Sequence, residues 1–389
     1  MRFTSHVFHM KTLIVGITAA GSVGLIRGQC KYFSKLGYKV YLLAPRSEQT
    51  IRFCKEEGCR LLAVELKREI NLAYDLISLI KIIYHFTRVR PNVVNLGTPK
   101  VSLLGMIAAW LCSVKMRVYT CRGLRYESES GPLRWLLVLF ERVIAKISHK
   151  IICISYSVKE LGIKDGIFDI KKAIVIGNGS SNGLDLTLFN TKKINHHSRN
   201  ILKEALGITP GNFVFGFVGR ICDRKGINEL YEAFLMIEKE YSNVKLIMVG
   251  SVEYFQIRDK HLIEKYKSNA NIVLTGKIDF NKVPLYMSIF DCFVLPTWAE
   301  GFGNVLVQAA ALGIPVISNR VTGCKDAVKD GFNGVLIKEI KRPLELKEAM
   351  VSLMKSPDER DRLGKNGRVW ATNFDQEFIW NSLRAIYDE

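Results

Sequence analysis

From position 296 the chain reads Pro296-Thr297-Trp298-Ala299-Glu300-Gly301-Phe302-Gly303-Asn304-Val305-Leu306-Val307-Gln308-Ala309. A carboxylate sits in a glycine-rich loop, and a helix-forming apolar run begins near Gly303. Free N–H groups at such a helix start bind a phosphate or a polar sugar oxygen. The glycines let a ligand come close to the backbone. Glu300 is suited to accept hydrogen bonds from sugar hydroxyls. Gln308, about two helical turns further on, offers an amide to a ribose hydroxyl. The plainer alternative is a strand–helix turn in which Glu300 only complements the helix N-terminus. Upstream, Val218-Gly219-Arg220 ends an apolar run, and Lys225-Gly226 opens the next helical pattern. An arginine fork and a lysine point charge at these two places suit a diphosphate. Solvated surface cations are the alternative, and the company of the Glu300 loop favours the ligand.

Such residues need a scaffold that ends several strands along one edge, and the chain supplies it twice. Thr12 to Ile17 is strand-like, Gly21-Ser22-Val23-Gly24 forms a tight loop, Leu25 to Leu36 is helical up to Gly37, and Val40 to Leu43 is the next strand. This is a βαβ unit. The alternation continues to a strand over Ala173 to Ile176. A polar stretch, Asn190 to Asn200, reads as a linker. A second series opens with the strand Phe213 to Val218 and closes in helices, the last over Asp375 to Tyr387. The fold class is α/β, with two doubly wound, Rossmann-like domains over 1–190 and 201–370. The linker covers 191–200. A C-terminal helix within 371–389 is expected to pack back across to the first domain. Residues 1–9 are polar and patternless, without a signal peptide, and are expected outside the fold with Met10 as the start. Ligands of such sheets bind beyond the carboxyl ends of the strands, where the strand order reverses.

Hydrophobic residues make up 48% and charged residues 24%, which excludes long disorder. The net charge of +19 is uneven: residues 1–200 hold 31 Lys and Arg against 13 Asp and Glu, whereas 201–389 hold 25 against 24. The basic surface therefore belongs to the first half, and suits anionic lipid headgroups or a phosphorylated substrate. Nucleic acid is a poorer fit, because no binding motif or aromatic–basic platform accompanies the charge. The nine cysteines form no Cys-x-x-Cys pair or Cys/His cluster. That argues against a zinc site or a disulfide framework and fits a reduced cytosol. No apolar run has the length of a spanning helix. Leu133 to Ile147, with Trp135 and Phe140 beside Arg134, Arg142 and Lys146, reads either as a helix lying in a bilayer interface or as a core helix.

The run from Glu300 through Gln308 to Gly313-Ile314-Pro315-Val316, with Gly219-Arg220 and Lys225-Gly226, resembles glycosyltransferase family 4. The likeness extends from about Phe213 to Gly334, including Asp291, Pro296 and Asp330-Gly331. The first half is similar to a subgroup that extends polyprenyl-diphosphate-linked sugars in capsule or O-antigen assembly. Its matching features are Thr98-Pro99-Lys100, Thr120-Cys121-Arg122-Gly123-Leu124-Arg125-Tyr126-Glu127, Ile154-Ser155 and Gly179-Ser180-Ser181-Asn182-Gly183.

The resemblance implies a GT-B fold with two domains facing a central cleft. It implies retention of anomeric configuration, a nucleotide-sugar donor, and neither a metal nor another cofactor. A uridine diphosphate sugar is the expected donor. By the same resemblance, Arg220 and Lys225 hold the donor diphosphate and stabilise the leaving nucleotide, and Glu300 binds the transferred sugar. Gly219, Asn304 and the backbone N–H groups of Phe302 and Gly303 complete the donor site, with Gln308 on the ribose. Gly21 and Gly24 line the cleft from the first domain; apart from the resemblance, Lys100 and Arg122 are expected on the acceptor side, with Arg122 contacting an acceptor phosphate.

Two departures stand out. The family pairs two glutamates with seven residues between them, and here the second is Gln308. Many relatives have a histidine after the strand that ends near Thr120, where this chain has Cys121-Arg122-Gly123. No general acid or base is therefore assigned.

The expected function is transfer of a sugar to a lipid-linked saccharide at the cytoplasmic face of the plasma membrane, with peripheral contact to anionic lipid. One alternative is a nucleotide-sugar 2-epimerase on the same fold, which would need paired acid/base groups and no acceptor. Another is a non-catalytic partner in polysaccharide assembly, with Gln308 marking a decayed site. No carboxylate pair of hydrolase character is visible, which argues against a glycosidase.

Overall fold

A computed structural model describes residues 10–67, 70–338 and 341–389; the extension expected over 1–9 lies outside the described residues. The chain divides into two compact units. Unit 1 comprises Met1–Ile176 and Glu377–Glu389, and unit 2 comprises Gly177–Gln376.

Unit 1 is built on seven parallel strands: β1 (Thr12–Gly16), β2 (Lys39–Ala44), β3 (Arg60–Ala63), β4 (Val93–Leu96), β5 (Met116–Cys121), β6 (Lys150–Cys153) and β7 (Ala173–Ile174). Their spatial order is β3-β2-β1-β4-β5-β6-β7. Helices cover both faces, so β1 and β4 are buried at every residue, and they are apolar except for Thr12 and Asn95. The order reverses between β1 and β4.

Unit 2 repeats the plan with six parallel strands: β8 (Phe213–Val218), β9 (Val244–Val249), β10 (Ile272–Gly276), β11 (Cys292–Leu295), β12 (Val316–Asn319) and β13 (Gly334–Ile337). The order is β10-β9-β8-β11-β12-β13, reversing between β8 and β11. Gly216 interrupts an otherwise bulky β8 because a Cβ there would lie 2.0 Å from the Phe290 ring.

The structure differs from several of these expectations in detail. The helix expected over Leu25 to Leu36 is split into a 3-10 segment, Ala20–Ile26, and an α-helix, Gln29–Lys35. Gly28 between them has φ 79° and lies under the Trp380 indole. The buried Glu57 carboxylate accepts from the N–H groups of Gly28 and Lys31 at 2.7 and 3.0 Å, which starts a new helix there.

The expected linker is largely ordered helix. Asn195 accepts from the N–H groups of His197 and Ser198 and caps His196–Ala205, whose polar sequence reflects a helix with no buried residue. The first unit ends at Ile176 rather than at 190.

The last helix, Gln376–Asp388, contributes Ile379, Trp380, Leu383, Ile386 and Tyr387 to the core of unit 1. Lys11 and the Tyr38 hydroxyl bond its Asp388 at 2.8 and 2.6 Å.

The segment weighed as a membrane helix, Gly131–Ile147, buries Leu137, Glu141, Ile144 and Ala145 against the sheet. Its inner face is therefore core.

Glu141 is an ionisable group in that core. Tyr119 on β5 donates to its Oε2 at 2.8 Å. Burial nevertheless pushes the carboxyl up to about 7, against the opposing pull of this bond. The folded state thus holds the proton more tightly than the unfolded chain, so this stabilisation is complete at low pH and lost as pH rises through about 7. Glu141→Gln keeps an acceptor for Tyr119 and removes the buried charge. The variant is expected to melt several degrees above wild type near pH 8 and together with it near pH 5. An equal offset at both pH values in a thermal melt would refute this account.

Candidate functional site

In unit 2 the strand order reverses between β8 and β11, and the residues singled out from sequence follow the ends of these two strands. Gly219 and Arg220 leave β8 directly, Gly219 with φ 153°. A 3-10 turn, Asp223–Lys225, then leads through Gly226 into the helix Ile227–Glu240. From β11 the chain passes Pro296 to Gly303 and enters the helix Asn304–Ala311. Gly303 is its N-cap in the left-handed region, φ 77°, which favours glycine.

The two loops are tied at backbone level. The Arg224 carbonyl accepts from the Trp298 N–H and from the Thr297 hydroxyl, each at 2.9 Å. Gly226 has φ 72°, and a Cβ there would lie 1.9 Å from the Pro296 carbonyl oxygen. Behind the loop, the buried Asn319 amide donates to the Thr297 carbonyl at 3.0 Å, and the Ser318 hydroxyl to the Leu295 carbonyl at 2.8 Å. On the other side Gly323 lies against Gly301 and Phe302.

Lys225 and Glu300 are thereby brought into direct contact, with side chains only 16% and 20% exposed. Burial lowers the Lys225 ammonium to about 8, and the charges of Arg220 and Arg224 also oppose it. Arg220 itself is exposed. A partly desolvated lysine, a solvent-facing arginine and a carboxylate thus share one crevice. Two positive charges there can neutralise a diphosphate, and the carboxylate can accept from hydroxyl groups.

Asn304 and Gln308, one turn apart, both remain partly accessible. The Asn304 side-chain Oδ1 accepts from the Ser180 hydroxyl at 2.8 Å. The Phe302 ring is buried against Phe374, with centroids 5.2 Å apart, so Phe302 can offer a ligand only its backbone.

Sequence reasoning named Arg220, Lys225 and Glu300 but missed what holds them. Arg224 acts through its carbonyl, which no side-chain pattern reveals. Asn319 and Thr297 are polar residues buried at strand ends, a signal that burial would have exposed. Ser180 was noted only as part of a motif. Asp291 has a structural job: its carboxylate accepts from the Val214 N–H at 2.8 Å. It lines a cavity of about 580 Å³ at the opposite, amino-terminal ends of β11 and β12. That is the wrong edge of the sheet for the crevice described above.

In unit 1 the corresponding crevice lies between β1 and β4. The Thr98 hydroxyl accepts from the Thr18 N–H at 2.7 Å, and the two threonine hydroxyls are 2.7 Å apart. Arg122, just after β5, packs on Gly97, where a Cβ would lie 2.7 Å from its Nε. Burial lowers this guanidinium to about 10. Lys100 is spent within the fold, bound to both Asp75 oxygens at 2.8 and 3.0 Å. Gly21 and Gly24 lie in the segment after β1, where an added Cβ would meet nothing within 4 Å. Their immediate surroundings in unit 1 do not demand glycine. Among the described residues, no group of three or more His, Cys, Asp or Glu is placed to hold a metal ion.

The comparisons with known proteins agree with one another. The family described as "Glycosyl transferases group 1" matches residues 198–370, and "Glycosyltransferase Family 4" matches residues 21–180. The capsular polysaccharide biosynthesis glycosyltransferase CapM of Staphylococcus aureus is 33% identical over 386 residues, covering 98% of this chain and 96% of its own. An Escherichia coli enzyme named UDP-Gal:alpha-D-GlcNAc-diphosphoundecaprenol alpha-1,3-galactosyltransferase is 29% identical over 70% of this chain and 69% of its own. Among solved structures, Anabaena HepE in complex with UDP and glucose superposes with a TM-score of 0.80 at 19% identity, over 97% of this chain and 99% of that one. A Rickettsia africae glycosyltransferase gives 0.79 at 17% identity, with 98% of both chains covered. These two likenesses concern the fold, which is that of the GT-B glycosyltransferases. With a relative this similar along nearly its whole length, the chain belongs to glycosyltransferase family 4 and is a glycosyltransferase.

Proposed function

We propose that this glycosyltransferase moves a sugar from a uridine diphosphate sugar to a polyprenyl-diphosphate-linked saccharide, with retention of configuration, in surface polysaccharide assembly at the cytoplasmic face of the membrane. The observation that carries the donor half is the Lys225–Glu300 contact beside Arg220 at the β8–β11 crevice. The acceptor half is supported by relatives whose names specify diphosphoundecaprenol-linked substrates, one of them the Escherichia coli enzyme. A second, from Campylobacter jejuni, is 22% identical over 90% of this chain and 91% of its own.

The chemistry follows from the charges. Breaking the anomeric bond leaves negative charge on the departing nucleoside diphosphate, and stabilising that charge is the main task. Arg220 meets the diphosphate from solvent. Lys225, poorly solvated, gains most from a new anionic partner. In the proposed complex the diphosphate meets Lys225, and Glu300 accepts from the sugar hydroxyls. Asn304, Gln308 and the backbone at Gly303 hold the rest of the donor. In unit 1, Arg122 faces the acceptor phosphate, and Gly21 and Gly24 leave room for a ligand to approach the backbone. These residues supply the positive charge that a resident metal would otherwise provide.

Three measurements test this reading. In a thermal-shift assay, UDP and one UDP-sugar are expected to stabilise the wild type by mass action. Arg220→Ala should weaken UDP binding roughly tenfold or more, the worth of a hydrogen bond to a charged group. Glu300→Ala should leave UDP binding nearly intact while abolishing transfer. If no uridine nucleotide binds at millimolar concentration, the donor assignment fails.

Gln308→Glu replaces a neutral amide by a charge-assisted acceptor, and UDP should bind several-fold tighter. Activity in the variant alone would mean that the natural protein is a binding module.

UDP affinity should also fall as pH rises through about 8, because Lys225 loses its proton there. Lys225→Arg should bind UDP with a flat profile over this range. A wild-type profile that is equally flat would remove Lys225 from the diphosphate site.

A further inference from the structure

Three helices of unit 1, Leu72–Val89, Pro99–Leu111 and Gly131–Ile147, pack side by side over one face of its sheet. The first buries only Ser78, Ile82 and Phe86. Its opposite face carries Leu72, Leu76, Ile80 and Tyr84, each one turn from the next, with Ile77 beside them. These five side chains are between 51% and 83% exposed. An outward apolar stripe of this kind marks a surface that meets something other than water.

The charges around the stripe select the occupant. The three helices carry six cations, Lys81, Arg88, Lys100, Arg134, Arg142 and Lys146, and only two acids, Asp75 and Glu141. Both acids face inward. Asp75 is bound by Lys100, and Glu141 is buried with Tyr119. The outer surface of the three helices is thus left without an acid of its own. Lys81 follows Ile77 by four residues and Arg88 follows Tyr84 by four, so each cation lies one turn from an exposed apolar residue. At the far edge, Arg134 is 3.9 Å from Asp165, the C-cap of the helix Tyr156–Lys164. A second copy docked through the same face would bring cations against cations, with no acid to relieve them.

We infer that the outer face of the helix Leu72–Val89 seats unit 1 on an anionic lipid leaflet. The stripe enters the headgroup–acyl boundary, and Lys81 and Arg88 lie at the lipid phosphates. The inference rests on the proposed lipid-linked acceptor, which such docking would bring to the enzyme. The contact is led by this helix, whose exposed apolar stripe is the longer; Gly131–Ile147 exposes the shorter set Leu133, Trp135 and Leu139.

The test is co-sedimentation of the full chain with vesicles of phosphatidylcholine alone and of phosphatidylcholine mixed with phosphatidylglycerol. Wild type is expected on the anionic vesicles and largely absent from the neutral ones. The double variant Leu76→Glu/Ile80→Glu should lower partitioning roughly tenfold or more, and Lys81→Glu about fivefold for each unit of charge changed. Phe255→Glu, at an exposed aromatic of unit 2, should partition like wild type. Circular dichroism and stabilisation by UDP, which report folding and the unit 2 site, should be unchanged in all variants. Wild type failing to bind anionic vesicles would overturn the inference, as would a double variant that binds as well as wild type. Light scattering that shows a wild-type dimer, dissolved by the double variant, would instead make the face a self-interface. Vesicle binding lost in the double variant, with no transfer to any lipid-linked acceptor by wild type, would leave the docking face standing and sink the proposed function.

Discussion

The carbonyl of Arg224 accepts two hydrogen bonds from the loop after β11, and the positions of the groups at the unit 2 crevice follow from this tie. It draws the turn after β8 onto Pro296, close enough that only glycine fits at position 226. Lys225, the residue between, has its stem pressed into protein and its ammonium against Glu300. A lysine on a free loop would be a solvated point charge of small value. Held here it is partly stripped of water, and its attraction for an incoming anion is correspondingly larger. Asn319 and Ser318 on β12 brace the same loop from behind, so three strand ends act together.

Unit 1 has the same architecture but a different polarity at its crevice. The Thr120 hydroxyl donates to Asn95, and the Asn95 amide donates to the Tyr387 hydroxyl. Thr18 and Thr98 bridge β1 to β4. These groups are neutral, and Arg122 provides the local charge. Unit 2 gathers two cations and a carboxylate, a set suited to a charged ligand. Unit 1 offers hydroxyls, amides and one desolvated arginine, which suits a substrate to be positioned rather than cleaved.

Much of this was legible because periodicity and punctuation are local. Apolar runs of strand length alternating with helical ones give both sheets, and the glycines at 219, 226 and 303 mark the crevice loops in the sequence itself. Three matters were not legible. Arg224 works through its carbonyl, and a carbonyl leaves no trace in residue type. Lys100 and Asp75 are 25 residues apart and meet only through packing, so Lys100 reads as an available cation until its partner is seen. The helices Leu72–Val89 and Gly131–Ile147 each carry apolar side chains on more than one side. Which side faces the sheet is settled by tertiary packing.

Unit 1 takes its last thirteen residues from the end of the chain as described. During synthesis its seven strands leave the ribosome first, yet one wall of their core is missing until all of unit 2 has been made. Tyr32 and Phe33, which will pack on Trp380 and Tyr387, must wait, uncovered, through the translation of the two hundred residues Gly177–Gln376. The half that emerges first is the half completed last. Its early state is a sheet with one open apolar flank, which is the species that chaperones would meet.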